Sequence, residues 1–173
     1  MKKRGLILFA ASALLLCSCG TTYKYTSTSS EGGDSAETKM TLVLKNKKDG
    51  AGEFTTTTKS KAVYADGIDG FLGFGSIDGK LEINTSGKEY GTWEATDDGA
   101  KLLTTKMEVE IDVKGENADD YYESYVRPVY ALLLNEEELD NLCDGKKVTK
   151  EFEDAVASYV SLNEEEKTFE VIL

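Results

Sequence analysis

The chain of 173 residues contains no histidine. Histidine is the usual general base of hydrolytic triads and the commonest side chain that binds transition metals. Its absence therefore excludes histidine-dependent catalysis and every metal site that relies on an imidazole. Serine and threonine are plentiful, but none lies beside an identifiable base, and no glycine-rich phosphate loop with a lysine occurs. We accordingly predict no catalytic residue, no metal site and no cofactor.

Basic residues are also scarce, with 20 Lys and Arg against 32 Asp and Glu and a net charge of −12. A nucleic-acid partner is excluded, because binding DNA or RNA needs a basic face that displaces counterions. The single proline and three cysteines exclude a proline-rich linker and a disulfide-dense mini-protein. Apolar residues make up 40% of the chain, which is enough for one globular core.

The N-terminus has the parts of a secretory signal. Lys2, Lys3 and Arg4 form a basic start, and residues 5–16 are an uncharged, mostly apolar run. At 1.5 Å per residue this run is too short to cross a bilayer core of about 30 Å. The pattern therefore predicts an export signal rather than a membrane span.

The run ends in Leu16-Cys17-Ser18-Cys19. This motif resembles the lipobox of bacterial lipoprotein precursors, in which an aliphatic residue and a small residue precede the lipidated cysteine. The resemblance implies that residues 1–18 are a lipoprotein signal peptide and that Cys19 is the lipidation site. Cys17 departs from the usual small or aliphatic residue at its position, which leaves ordinary signal cleavage and a released protein as the alternative.

Lipidation fixes the expected location of the protein. One acyl chain binds a membrane only marginally, at about 0.8 kcal/mol per buried CH₂, whereas two or three chains on Cys19 would anchor the protein permanently. We expect the acyl chains to make the membrane a partner and to place residues 19–173, as a single β-rich domain, in the cell envelope outside the cytoplasm. Gly20 is not the aspartate that retains enteric lipoproteins in the inner membrane, which indicates the outer membrane in a Gram-negative cell.

Alternation of apolar and polar residues dominates the body of the chain. Eight strands are predicted, at residues 22–28, 39–45, 54–64, 81–83, 90–96, 101–113, 157–162 and 168–173. The strand at 101–113 is the clearest, and six of its side chains are expected to face the core: Leu103, Thr105, Met107, Val109, Ile111 and Val113.

A short helical insertion is predicted near residues 117–156. Its first helix covers 118–126 and stops before Pro128. The second covers 135–143, where Asn135 and Glu138 form a capping pair and Gly145 closes the C-terminus. A third is expected at 149–156.

The meander resembles a lipocalin-like barrel. The resemblance depends on Gly91-Thr92-Trp93, on the Asp-Gly turns and on the alternation from 103 to 113. It implies a mainly β fold, an antiparallel meander closed as a small eight-stranded barrel whose interior is either filled or holds one small ligand. In lipocalins the Gly-x-Trp motif lies on the first strand, whereas here it lies mid-chain. The alternative fold is an open antiparallel sheet packed on the helices.

Two regions are predicted to bind a ligand. The glycine-rich segment 66–79 carries Phe71, Leu72 and Phe74, which would line the mouth of a barrel or fold back as a lid on its core. Trp93, the only tryptophan, and Arg127, which lies among tyrosines, complete the predicted site.

We therefore expect a non-catalytic envelope lipoprotein that binds a small apolar or amphipathic ligand or a protein partner. The main alternative is a structural or surface-exposed lipoprotein that acts by adhesion or shielding without a ligand. An enzyme is the third possibility, because carboxylates are abundant although no pair stands out.

Overall fold

The computed structural model describes residues 20–46, 50–68 and 75–172. The predicted signal peptide and Cys19 lie outside the described residues, as do Phe71, Leu72 and Phe74.

Strands make up most of the described chain. In chain order they are β1 (Thr21–Glu31), β2 (Asp34–Asn46), β3 (Ala51–Tyr64), β4 (Gly67–Ile68), β5 (Ile77–Asp78), β6 (Leu81–Thr96), β7 (Gly99–Gly115), β8 (Val148–Asn163) and β9 (Thr168–Ile172). Seven of them form one sheet in the order β1-β2-β3-β6-β7-β8-β9, and each successive pair is antiparallel. β4 and β5 form a separate two-stranded sheet. The predicted antiparallel meander is confirmed.

The sheet curls until its first and last strands meet. β1 and β9 share one parallel residue pair, Lys24 with Thr168, and the Lys24 amide donates a 2.8 Å hydrogen bond to the Lys167 carbonyl. The curl gives the sheet a concave inner face and a convex outer face. The two faces alternate along each strand, because successive side chains point to opposite sides.

The expected count of eight strands is wrong for the described chain. The segments 81–83 and 90–96, predicted as two strands, are the ends of the single strand β6. The polar residues between them, which include Gly87, have the composition of a turn. Their backbone nevertheless pairs with β3 on one side and β7 on the other, so the strand continues through them.

Two groups of buried residues cover the ends of the inner face. The Trp93 cluster consists of Tyr23, Leu42, Leu44, Phe54, Trp93, Ala100, Leu102, Val160 and Phe169. The helix-facing cluster joins the sheet residues Leu81, Ile83, Val109, Ile111, Val113 and Val148 to apolar side chains of the helices. Between these clusters the inner face is mostly polar.

A β-bulge changes which residues of β7 face the core. Tyr90 pairs with Lys106 and Gly91 with Thr104, so Thr105 has no partner on β6. One extra residue reverses the alternation. Val109, Ile111 and Val113 are buried as predicted, but Leu103 and Thr105 were assigned to the wrong face. Ala100, Leu102 and Thr104 are buried instead.

The helical insertion begins at Ala118 as predicted but ends at Cys143, earlier than the predicted residue 156. It comprises α1 (Ala118–Tyr121), a π-helical turn (Tyr122–Val126), α2 (Arg127–Tyr130) and α3 (Glu136–Cys143). The first helix does not stop before Pro128. Pro128 lies in the first turn of α2, where a missing N–H costs little.

The helix at 135–143 is confirmed in detail. The Glu138 amide donates to the Asn135 side chain, and the Asn135 amide donates to the Glu138 carboxylate, both at 2.9 Å. Gly145 follows with a φ of 71°, the left-handed conformation that closes many helices.

The third predicted helix, at 149–156, is wrong because this segment belongs to β8. Thr104 pairs with Val156 while Lys106 pairs with Glu151, so residues 152–155 bulge out of the β7–β8 ladder. The bulge interrupts the alternation of apolar and polar residues that marks a strand, so the spacing of apolar residues in this segment resembles that of a helix.

Candidate functional site

The polar middle of the inner face centres on Glu89 of β6. The pairing of β6 with β3 is unbroken from Leu81 to Glu94, so odd-numbered residues of β6 share one face. Leu81, Ile83 and Trp93 are buried on that face. Glu89 therefore points to the inner side, between the two apolar clusters.

Thr56 of β3 lies directly opposite Glu89. Its side chain is on the inner face between Phe54 and Thr58, and only 4% of the residue is exposed. The Thr56 hydroxyl oxygen is buried and has no hydrogen-bond partner within the described residues. Buried polar atoms are almost always paired, so a lone hydroxyl beside a carboxylate is an unusual arrangement.

The Glu89 carboxylate has no counter-charge among the residues that the structure describes. The side chain remains open to water, yet the strands and helices around it remove part of its hydration, and this desolvation raises the pKa of the Glu89 carboxyl. Along the same row across the sheet, Glu89 pairs with Met107, and Met107 pairs with Lys150. The Lys150 amine is already bound to Glu138 at 3.0 Å.

Tyrosines of the helical insertion form the other side of the site. Burial raises the pKa of Tyr130, and the negative charge of Glu89 raises it further. Burial also raises the pKa of Tyr121 to about 12, with smaller contributions from neighbouring tyrosines that include Tyr64 and Tyr130. Tyr121 stacks on Tyr125 with ring centres 5.3 Å apart. We call Tyr121, Tyr125 and Tyr130 of the helical insertion the tyrosine wall. Tyr64 does not lie beside Glu89, because it pairs with Leu81 at the far end of β3.

Glycines leave space on either side of Glu89 along β6. A Cβ atom at Gly87 would meet the Glu108 carbonyl oxygen at 3.7 Å and the Thr58 side chain at 3.9 Å, which are ordinary contact distances, so Gly87 leaves room for another group. A Cβ atom at Gly91 would lie 2.9 Å from the Phe54 ring, which covers that glycine. The open side of the site is therefore towards Gly87.

The predicted ligand residues that are described lie elsewhere. Trp93 is buried in the Trp93 cluster, and its indole N–H donates to the Lys45 carbonyl at 3.1 Å. Arg127 contacts three carboxylates, those of Glu123 at 3.2 Å, Glu136 at 3.5 Å and Asp140 at 2.8 Å. The structure therefore does not bring Trp93 and Arg127 together as one site.

Sequence reasoning missed Glu89 and Thr56, whereas Tyr130 was noted only as one of the tyrosines around Arg127. The sequence does contain a signal for Glu89. In the run Gly87-x-Glu89-x-Gly91, Glu89 has the same two-residue spacing as Leu81, Ile83 and Trp93 and so lies on their face of the strand. An acidic residue in phase with apolar residues marks a charge on the core-facing side of a strand.

The outer face carries a groove of about 470 Å³, lined in part by Lys39, Lys59, Lys61, Glu110 and Asp112. Two of the groove's lysines form solvent-exposed ion pairs: Lys61 with Glu82 at 3.0 Å and Lys39 with Glu37 at 2.7 Å. Such exposed pairs contribute little and indicate no particular ligand. Within the described ranges no three Cys, Asp or Glu side chains are placed to hold a metal ion.

No protein-family model matches the chain, and comparison with curated proteins and with solved structures gave no match. Among the described residues, none of the helices is long and apolar enough to span a membrane.

Proposed function

We propose that this chain is a lipid-anchored protein of a bacterial cell envelope that binds a small amphipathic ligand without chemical conversion. The ligand lies on the inner face of the sheet, in contact with Glu89, Thr56 and the tyrosine wall. In this proposal the curled sheet serves as a lipocalin-like barrel, in which a small interior holds one ligand.

The observation that supports binding is the pairing of Thr56 with Glu89 across β3 and β6. A buried hydroxyl without a partner costs about 1–3 kcal/mol of folding free energy, and an unpaired carboxylate that is partly desolvated adds to this cost. Two such groups that face each other are explained most simply by a ligand that supplies hydrogen bonds to both. A core built only for stability would have an apolar pair in their place.

The lipid anchor rests on the lipobox at Cys19. Removal of Lys2, Lys3 and Arg4 with the signal peptide changes the net charge from −12 to −15. A domain this acidic is repelled by anionic lipid head groups, so the acyl chains alone would hold it at the membrane. The binding site would then be presented to the aqueous space beside that membrane.

Native and denaturing mass spectrometry of residues 20–173, purified gently from cells, tests the proposed function. We expect an additional mass in the native spectrum that is lost on denaturation, and we expect Glu89→Gln to reduce it. Glu94→Gln is the matched control, because Glu94 is an exposed residue of the same strand. An unliganded mass that persists after incubation with lipid and sugar extracts would favour a structural or shielding role instead.

A further inference from the structure

We propose, on the basis of the proposed function, that the ligand carries a primary ammonium group that is bound between Glu89 and Thr56. The apolar part of the ligand then lies along the tyrosine wall. The site thus selects amphipathic amines over neutral or acidic molecules of the same size.

The charge of the site favours a cation. Glu89 has no ion-pair partner within the described residues, and desolvation is the only cause of its raised pKa. Lys150, the basic residue in the same row across the sheet, is bound to Glu138. A cationic ligand neutralises Glu89, whereas an anionic ligand is repelled and a neutral ligand leaves the partly desolvated charge unpaired.

The hydrogen-bonding groups favour an ammonium with N–H donors. The ionised Glu89 carboxylate only accepts hydrogen bonds, and the Thr56 hydroxyl has two acceptor lone pairs. A primary ammonium offers three donors and no acceptor, so it can satisfy Glu89 and Thr56 together. A quaternary ammonium would leave the buried Thr56 hydroxyl without a partner.

The surroundings suit an amine with an apolar chain. Aromatic rings attract cations through the negative potential of their faces. Tyr130 and Met107, the residue that pairs with Glu89, both pack against the helix-facing cluster. Gly87 leaves the neighbouring inner-face position without a side chain. Met107, which is opposite Glu89 on β7, adds a flexible apolar surface.

Titration of residues 20–173, which contain all the described strands and helices, with hexylammonium tests the inference. Backbone amide spectra locate the binding, and calorimetry measures the affinity. We expect hexylammonium to shift the signals of Glu89, Thr56 and Gly87 and to bind about ten- to hundredfold more tightly than hexanol, the range given by one charge-assisted hydrogen bond. Hexanoate should not bind.

Substitutions at Glu89 and Thr56 measure how much the negative charge and the hydroxyl each contribute to the affinity. Glu89→Gln should lower the affinity for hexylammonium to that for hexanol, and Thr56→Val should weaken it about fivefold, as expected for one lost hydrogen bond. Glu94→Gln should change nothing. Unchanged amide spectra outside the site would show that each variant is folded.

Two other outcomes would each overturn a different claim. Equal binding of hexanol and hexylammonium at these residues, insensitive to Glu89→Gln, would refute the preference for amines and leave ligand binding intact. If neither hexylammonium nor hexanol shifts any inner-face signal, both the amine and the proposed binding function are refuted.

Discussion

Thr56 and Glu89 face each other across β3 and β6, and neither side chain has a hydrogen-bond or charge partner within the described chain. Further along β6, Ile83 and Trp93 lie on either side of Glu89 and belong to the two apolar clusters, which supply the hydrophobic stabilisation of the fold. The two unpaired polar groups between the clusters therefore lower the free energy of unfolding, and such a loss of stability is typical of binding sites.

Replacement of Glu89 by Gln should stabilise the protein at neutral pH. Because the fold raises the pKa of Glu89, the folded state keeps the proton over a pH range in which the unfolded state has lost it. The contribution of this group to stability is present at pH values below the ordinary value of 4.5 and is lost as the pH rises through the raised pKa. At pH 7 we expect Glu89→Gln to gain about 0.5 kcal/mol, a small figure because the carboxylate still contacts water.

Urea unfolding at pH 4 and pH 7 measures this difference. The gain should be largest at pH 7 and should shrink at pH 4. Glu94→Gln, at an exposed position of the same strand, should change stability at pH 7 by less than about 0.5 kcal/mol. A loss of stability at pH 7 would mean that the Glu89 carboxylate makes a favourable interaction.

Replacement of Thr56 by Val should also stabilise the unliganded protein. Valine has the shape of threonine without the hydroxyl, so the substitution removes a buried atom that has no partner in the described residues. We expect a gain of about 1 kcal/mol in the free energy of unfolding. Thr55→Val on the outer face is the matched control and should change stability by less than about 0.5 kcal/mol. If Thr56→Val is instead destabilising, the hydroxyl is satisfied in solution.

Much of this fold follows from the sequence, and the exceptions have physical causes. The buried stripe of Val109, Ile111 and Val113 and the cap at Asn135 are local patterns that a reader of the sequence can recognise. The bulge at Thr105 is not local, because it depends on how β7 pairs with β6. One inserted residue was enough to place Leu103 and Thr105 on the wrong face.

The candidate site was missed for a related reason. Strands were predicted only at 81–83 and 90–96, so residues 84–89, which are polar and contain Gly87, were assigned to neither strand although they pair with β3 and β7. Hydrophobic periodicity finds cores, so it is weakest where the inner face of a strand is polar.

Replacement of Tyr122 by Phe should loosen the helical insertion. The Tyr122 hydroxyl donates to the Ile111 carbonyl at 2.8 Å and accepts from the Val113 amide at 3.2 Å, which ties the π-helical turn to β7. Its loss leaves buried backbone groups unpaired and should cost about 1–3 kcal/mol, measured by urea unfolding. Tyr159→Phe, at an exposed position on β8, should cost less than about 0.5 kcal/mol. Equal effects of the two variants would contradict this role of Tyr122.

Replacement of Gly52 by Ala should disrupt the Trp93 cluster. A Cβ atom at Gly52 would overlap the Lys45 carbonyl oxygen and lie 2.9 Å from the Trp93 indole nitrogen, the two groups that hydrogen-bond to each other. Because the carbonyl belongs to the backbone, it cannot move aside freely, and we expect a loss of about 3 kcal/mol. Tryptophan fluorescence during thermal unfolding reports this change. Gly75→Ala, where a Cβ atom meets nothing within 4 Å, should leave the melting temperature unchanged, and a similar result for Gly52→Ala would disprove the predicted clash.

Replacement of Cys19 by Ala tests the lipid anchor in cells. Two or three acyl chains on this residue would hold the protein at a membrane, so their loss should release most of the protein to the soluble fraction or leave it as an uncleaved precursor. Membrane fractionation with mass analysis of the N-terminus distinguishes these results. Cys143→Ala is the matched control, because Cys143, the last residue of α3, has a half-buried thiol whose pKa is raised by burial, which makes it a poor nucleophile. We expect Cys143→Ala to remain in the membrane fraction. A Cys19→Ala protein that is processed and still fully membrane-bound would show that acylation of Cys19 is not the anchor.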